Sequence, residues 1–159
     1  MSLSAQEVIR LNKEYTLFEW NPQGNYIPLP VDHAKGSCFW TTDGKRYLDF
    51  NSQLMSVNIG HGDERVNNAI KAQLDKLNFA NPYAATEPRG VLGELIAKIT
   101  PGKLKKSFFT LGGSEANENA IKMAKMVKGG HKILARYRGY HGGTAASMAL
   151  TGDPRRWAA

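Results

Sequence analysis

Apolar side chains recur at three- and four-residue intervals through several stretches of the chain, each bounded by residues that start or stop a helix. Val8, Ile9, Leu11, Tyr15 and Phe18 follow Ser4, with Glu7 in the capping-box position, and this pattern fades at Asn21-Pro22. Val66, Ala69, Ile70, Leu74 and Leu77 form a stripe behind Asp63, a residue suited to the N-cap. Val91, Leu92, Leu95, Ile96 and Ile99 form another, with Thr86 as cap, Pro88 in the first turn and Pro101-Gly102 as the stop. Ala116, Ala120, Met123, Ala124 and Val127 make a further stripe, from an N-cap at Ser114 to a stop at Gly129-Gly130. The segment from Thr144 to Leu150 reads as helical or irregular, and Thr151-Gly152-Asp153-Pro154 as a turn.

Between the helices the pattern changes period. Residues 25–35, rich in Pro and polar side chains, read as an extended loop. Cys38-Phe39-Trp40-Thr41 and Arg46-Tyr47-Leu48-Asp49-Phe50 flank Thr42-Asp43-Gly44-Lys45, and Asp-Gly between β-prone runs predicts an antiparallel hairpin. The stretch from Phe79 to Ala84 has no helical period and reads as irregular. Two apolar runs, Phe108 to Leu111 and Ile133 to Ala135, bracket the helix that begins at Ser114. A strand, helix and strand of this length predict a right-handed crossover between parallel strands, hence an α/β fold.

Bulk properties narrow the class only a little. The chain has 159 residues, 42% apolar and 22% charged, the ordinary balance of a globular protein, and no apolar run long enough to span a membrane. Neither a membrane nor a signal peptide is therefore expected. The net charge of +7 raises nucleic acid as a partner, but the lysines are scattered. Lys103 to Lys106 and Arg155-Arg156 read as solvated loops, so no nucleic acid is expected. The single Cys38 cannot close an internal disulfide, which fits a reducing, cytoplasmic setting.

The candidate chemistry lies where Leu111 turns into the helix through Gly112-Gly113-Ser114. Glycines let an anion approach the backbone, and a helix N-terminus offers unpaired N–H groups and the positive end of a dipole: a phosphate seat. The alternative is a tight turn that needs glycine for a positive φ. Tyr140-His141, set between glycines after the next apolar run, favours the seat, because an aromatic there can cover a ring attached to the phosphate. His61, in Gly60-His61-Gly62, either faces a ligand or is structural, and the structural reading is preferred. The glycine turn fits neither the dinucleotide nor the P-loop pattern, which disfavours a nucleotide-binding module.

Gly113-Ser114-Glu115-Ala116-Asn117-Glu118, then Ala120 to Ala124, then Gly139-Tyr140-His141-Gly142, resemble the class III aminotransferases, enzymes of fold type I that depend on pyridoxal phosphate. Asp43 to Phe50 and Gly60-His61-Gly62 resemble the family's N-terminal pattern, so the likeness runs from about Asn21 to Gly152. The resemblance implies a helix and antiparallel small-domain segment over 1–62 and the incomplete start of a large parallel-sheet domain over 63–159. It puts the cofactor phosphate on Gly113 and Ser114, and the ring against Tyr140 with His141 beside it. A serine common before that glycine is replaced here by Gly112. It also implies a substrate pocket at Met55, with Leu54 and Tyr83 as further candidates. The implied reaction moves an amino group from an ω-amine or amino acid to a keto acid such as pyruvate or 2-oxoglutarate, in a homodimer. No lysine present matches the Schiff-base motif, so no catalytic residue is expected within these residues, and the chain reads as the first third or so of a larger enzyme. The competing readings are an inactive truncated fragment and a phosphate- or nucleotide-binding α/β module.

Overall fold

The computed structural model describes residues 3–158, which fall into two compact units divided between Asn81 and Pro82. In the first unit, α1 (Ala5–Tyr15) starts at Ser4, whose hydroxyl accepts the Glu7 N–H at 3.3 Å, and Arg10 pairs with Glu7 and Glu14 along its exposed side. The helix ends at Tyr15, short of Phe18, because Thr16 leaves it in extended geometry.

A three-stranded antiparallel sheet follows, in the order β1-β2-β3, from β1 (Val31–Lys35), β2 (Cys38–Thr41) and β3 (Arg46–Leu48). The Asp-Gly hairpin forms as its sequence predicts: Gly44 takes φ +82°, and the Thr41 N–H donates to the Lys45 carbonyl at 3.0 Å. Its register sets Phe39 opposite Tyr47, with rings stacked at 5.3 Å, and Trp40 lies flat on His33 at 4.9 Å. β1 replaces the loop expected over the end of 25–35. Four of its five residues are exposed, so it is an outer strand whose polar side chains hide its pairing from a hydropathy reading.

After β3 comes one helical turn, α2 (Ser52–Met55), wound left-handed: Ser52, Gln53, Leu54 and Met55 have φ of 51°, 49°, 57° and 64°. None is glycine, and such geometry costs roughly 1–2 kcal/mol per residue. α3 (Glu64–Lys76) then begins at Asp63, whose carboxylate accepts the Arg65 N–H at 3.0 Å.

The second unit contains α4 (Glu87–Ile99), α5 (Gly113–Lys128), α6 (Ala145–Leu150) and a 3-10 helix over Pro154–Ala158. Thr86 stands at the N-cap of α4 without a capping side-chain bond, while Pro88 sits in the first turn as expected. α5 starts earlier than its sequence suggests, with Gly112 at the N-cap, and ends at Gly129 in the left-handed region (φ +65°). The expected strands at 108–111 and 133–135 are not formed: among the described residues neither run has a ladder partner. A strand is a property of a pair, and an apolar run with no neighbour to bond stays irregular.

The packed face of α5 also differs from the expected stripe. Ala116, Ala120 and Ala124 are exposed, as are Met123 (46%) and Val127 (83%). Ile121 is the one buried apolar side chain among the described residues, and it shares its face with Ser114, Asn117 and Glu118 at helical spacing. That largely polar face meets α6. Among the described residues no helix is long and apolar enough to cross a membrane, and no cluster of ligating side chains could hold a metal ion.

Candidate functional site

The start of α5 and the loop from Gly139 to Gly143 are built as one piece. The first N–H groups of α5, on Gly113, Ser114 and Glu115, have no carbonyl a turn earlier to receive them, and they carry the positive end of a helix of 16 residues. Gly112 is extended (φ −167°), and neither it nor Gly113 has positive φ. A Cβ built on either meets nothing within 4 Å. The backbone therefore does not require glycine at these two positions, which removes the tight-turn explanation. The missing side chains leave open space beside the first turn of α5.

Four hydrogen bonds to its backbone groups pin the loop. The Gly143 N–H donates to the Ser114 hydroxyl at 3.2 Å, and the Asn117 amide donates to the His141 carbonyl at 2.6 Å. The His141 N–H donates to Thr151 Oγ1 at 3.1 Å, and the Gly152 N–H to the Gly139 carbonyl at 2.8 Å. Thr151 is fully buried and donates onward to the Ser147 carbonyl at 2.9 Å. Having accepted from Gly143, Ser114 keeps its own hydroxyl hydrogen to donate. Close approach makes Gly142 obligatory: its φ is +138°, and a Cβ there would lie 2.3 Å from Ser114 Oγ and 2.5 Å from Ser147 Oγ.

Glu118 locks the far side of the loop. One of its carboxylate oxygens accepts the Thr144 hydroxyl at 2.6 Å and the N–H groups of Ala146 and Ser147 at 2.8 and 3.1 Å, capping α6. The Thr144 hydroxyl, then the Ser147 N–H, hold its pKa below the ordinary glutamate range, against a smaller opposing effect of burial.

Tyr140 is 44% exposed, with its hydroxyl 4.0 Å from where a Cβ on Gly143 would stand. His141 Nε2 is buried with no hydrogen-bond partner among the described residues. Gly113, Ser114, Tyr140 and His141 are thus gathered by one set of bonds. Tyr83 lies in the turn before α4, 97% exposed, and Met55 lies on α2 of the first unit, 74% exposed. Asn117 and Glu118 stand in the motif without a role of their own, and Thr151 reads only as part of a turn. The signal for the first two is polar side chains at i+3 and i+4 from Ser114, on the face they share with Ile121, while Thr151 carries no such signal.

The family model for class-III aminotransferases matches residues 20–158. Isoleucine 2-epimerase of Lentilactobacillus buchneri is 35% identical over 145 residues, covering 90% of this chain and 32% of that protein. The 5-aminovalerate aminotransferase of Pseudomonas aeruginosa is 37% identical over 131 residues, covering 81% and 31% respectively. Among solved structures, the taurine:2-oxoglutarate aminotransferase of Bifidobacterium kashiwanohense, in complex with PLP and glutamate, superposes with a TM-score of 0.94 at 41% identity, over 99% of this chain and 35% of that one. The chain spans about a third of the length of the relatives it matches.

Proposed function

Because this chain belongs to the class-III aminotransferase family, and its fold is that of the N-terminal part of fold type I pyridoxal-phosphate transaminases, we propose that the complete protein is a transaminase using pyridoxal phosphate. It moves an amino group from an ω-amine or amino acid to a keto acid such as pyruvate or 2-oxoglutarate. The proposed assembly is a homodimer, the proposed setting is cytoplasmic, and the division at 62/63 into small- and large-domain segments is kept as part of the proposal.

The residues suit the cofactor. A phosphate in front of Gly113 and Ser114 would meet backbone N–H groups, the Ser114 hydroxyl and the helix dipole, with no Cβ in the way. The Tyr140 ring would stack on the pyridine, and the orphaned His141 Nε2 would find a polar partner beside it. When bound, pyridoxal phosphate supplies the carbonyl and electron sink that amino transfer needs. The chain's own residues position it: four hydrogen bonds to the loop's backbone groups and the Glu118 cap hold the loop before any ligand arrives. Met55 and Tyr83 are assigned to the amino donor.

The observation that carries the reading is the pair of glycines that neither φ nor packing explains. Amino transfer is tested on the complete protein by following amine loss and keto-acid consumption together. Coupled one-to-one turnover is expected. Inversion of an amino acid without any keto acid would instead assign the epimerase chemistry named for one relative. A pyridoxal phosphate titration of Tyr140→Ala should give a Kd raised about tenfold, with Tyr140→Phe near wild type. An unchanged Kd in the alanine variant removes Tyr140 from the site.

A further inference from the structure

The left-handed turn α2 persists although none of its residues is glycine, so something must hold it. Within the turn, the Met55 and Ser56 N–H groups donate to the Asn51 and Ser52 carbonyls, each at 2.8 Å. These bonds are local and would survive a shift of the whole segment. Among the described residues, the side-chain link from this turn to the rest of the unit runs through Asp49. Its Oδ1 accepts the Gln53 N–H at 3.1 Å, and its Oδ2 pairs with His61 Nε2 at 2.7 Å.

Both side chains are largely covered, Asp49 at 4% and His61 at 16% exposure. Each is fixed to the sheet through its backbone. His61 and Gly36 exchange N–H···O bonds of 2.9 and 2.8 Å at the β1–β2 turn, and the Asp49 N–H donates to the Ser37 carbonyl at 2.8 Å. Gly60 is needed for this approach: its φ is +88°, and a Cβ would stand 3.3 Å from the Gly36 carbonyl oxygen. Burial alone would raise the Asp49 carboxyl, but the bonds from His61 and Gln53 outweigh it and leave the pKa below the ordinary range. The turn is thus hung from a rigid frame by one carboxylate, and it holds out Leu54 (60% exposed) and Met55 (74%).

We propose that Asp49 and His61 are positioning residues, a carboxylate–imidazole clamp that keeps α2 left-handed and so presents Leu54 and Met55 to the amino donor. This rests on the assignment of Met55 to the substrate pocket. Released from Asp49, the segment would relax toward right-handed or extended geometry, and both side chains would turn away.

The test uses the complete protein with pyridoxal phosphate bound. In Asp49→Ala, amide exchange across residues 52–56 should rise about tenfold, and KM for the amino donor should rise by a similar factor with kcat and cofactor Kd near wild type. Asp49→Asn keeps an oxygen for the Gln53 N–H and should recover most of both. His61→Ala, which leaves α2 and Asp49 unaltered in sequence, should shift both in the same direction and keeps the test available if Asp49→Ala does not fold. Unchanged exchange in the variants overturns the clamp. Faster exchange with an unchanged KM overturns the positioning role. Exchange needs no substrate, so its result stands whether or not the protein proves to be a transaminase.

Discussion

Gly142 is constrained both by its backbone angle and by its neighbours. Its φ of +138° and the crowding of two serine hydroxyls and the Ser114 Cβ leave no room for a side chain. Gly142→Ala should cost about 2 kcal/mol or more in the unfolding free energy of the complete protein. An equally stable variant would mean that the Ser114–Gly143 junction is not formed as described. Gly112 and Gly113 are the reverse case, conformationally ordinary and sterically open, which is why the proposal gives them a bound phosphate. Ser114 was legible as a helix-start residue, but its hydroxyl goes to Gly143 and the N-cap falls on Gly112. A side chain's partner 29 residues away leaves no trace in local periodicity.

At the level of elements, α5 and α6 are joined through polar groups, and Glu118 is the junction. Its depressed pKa fixes the sign of its pH effect. The unfolded chain binds a proton here at higher pH than the folded one, so Glu118 contributes stability wherever it is ionised in both states. That contribution fades as pH falls through the ordinary glutamate range and is lost past the depressed folded value. Thermal unfolding of Glu118→Gln should therefore lie below wild type at neutral pH and converge on it in acid. A constant gap across that range would contradict the assignment. The Asp-Gly hairpin and the starts of α1 and α3 were legible because turn and cap chemistry is local. The faces of α5 were not: Met123 and Val127 fall at apolar spacing yet lie exposed, because spacing says which residues could share a face and not which face is covered. The runs at 108–111 and 133–135 failed for the same reason, since pairing needs a neighbour.

For the molecule as a whole, apolar surface is the dominant fact. Leu111, Leu134 and Phe50 are almost fully exposed, and Ile121 alone is buried among the apolar side chains of the described residues. A domain of this size normally buries a substantial apolar core. Residues 1–159 expressed by themselves should therefore unfold without a sharp cooperative transition and transfer no amino groups; a sharp melt or measurable turnover from that piece would refute this. The family and its fold could be read from motifs spaced along nearly the whole chain. The left-handed turn at Ser52–Met55 could not, because none of its residues announces a positive φ.

The claim that the bend from Leu111 into Ser114 seats a phosphate is tested most directly by one substitution, Gly113→Ala in the complete protein. A methyl there meets no protein atom and sits in ordinary helical geometry, so the unfolding temperature without cofactor should be unchanged or slightly higher. The Kd for pyridoxal phosphate should rise about tenfold or more. Equal affinity in variant and wild type, with stability likewise equal, would contradict the account at its centre.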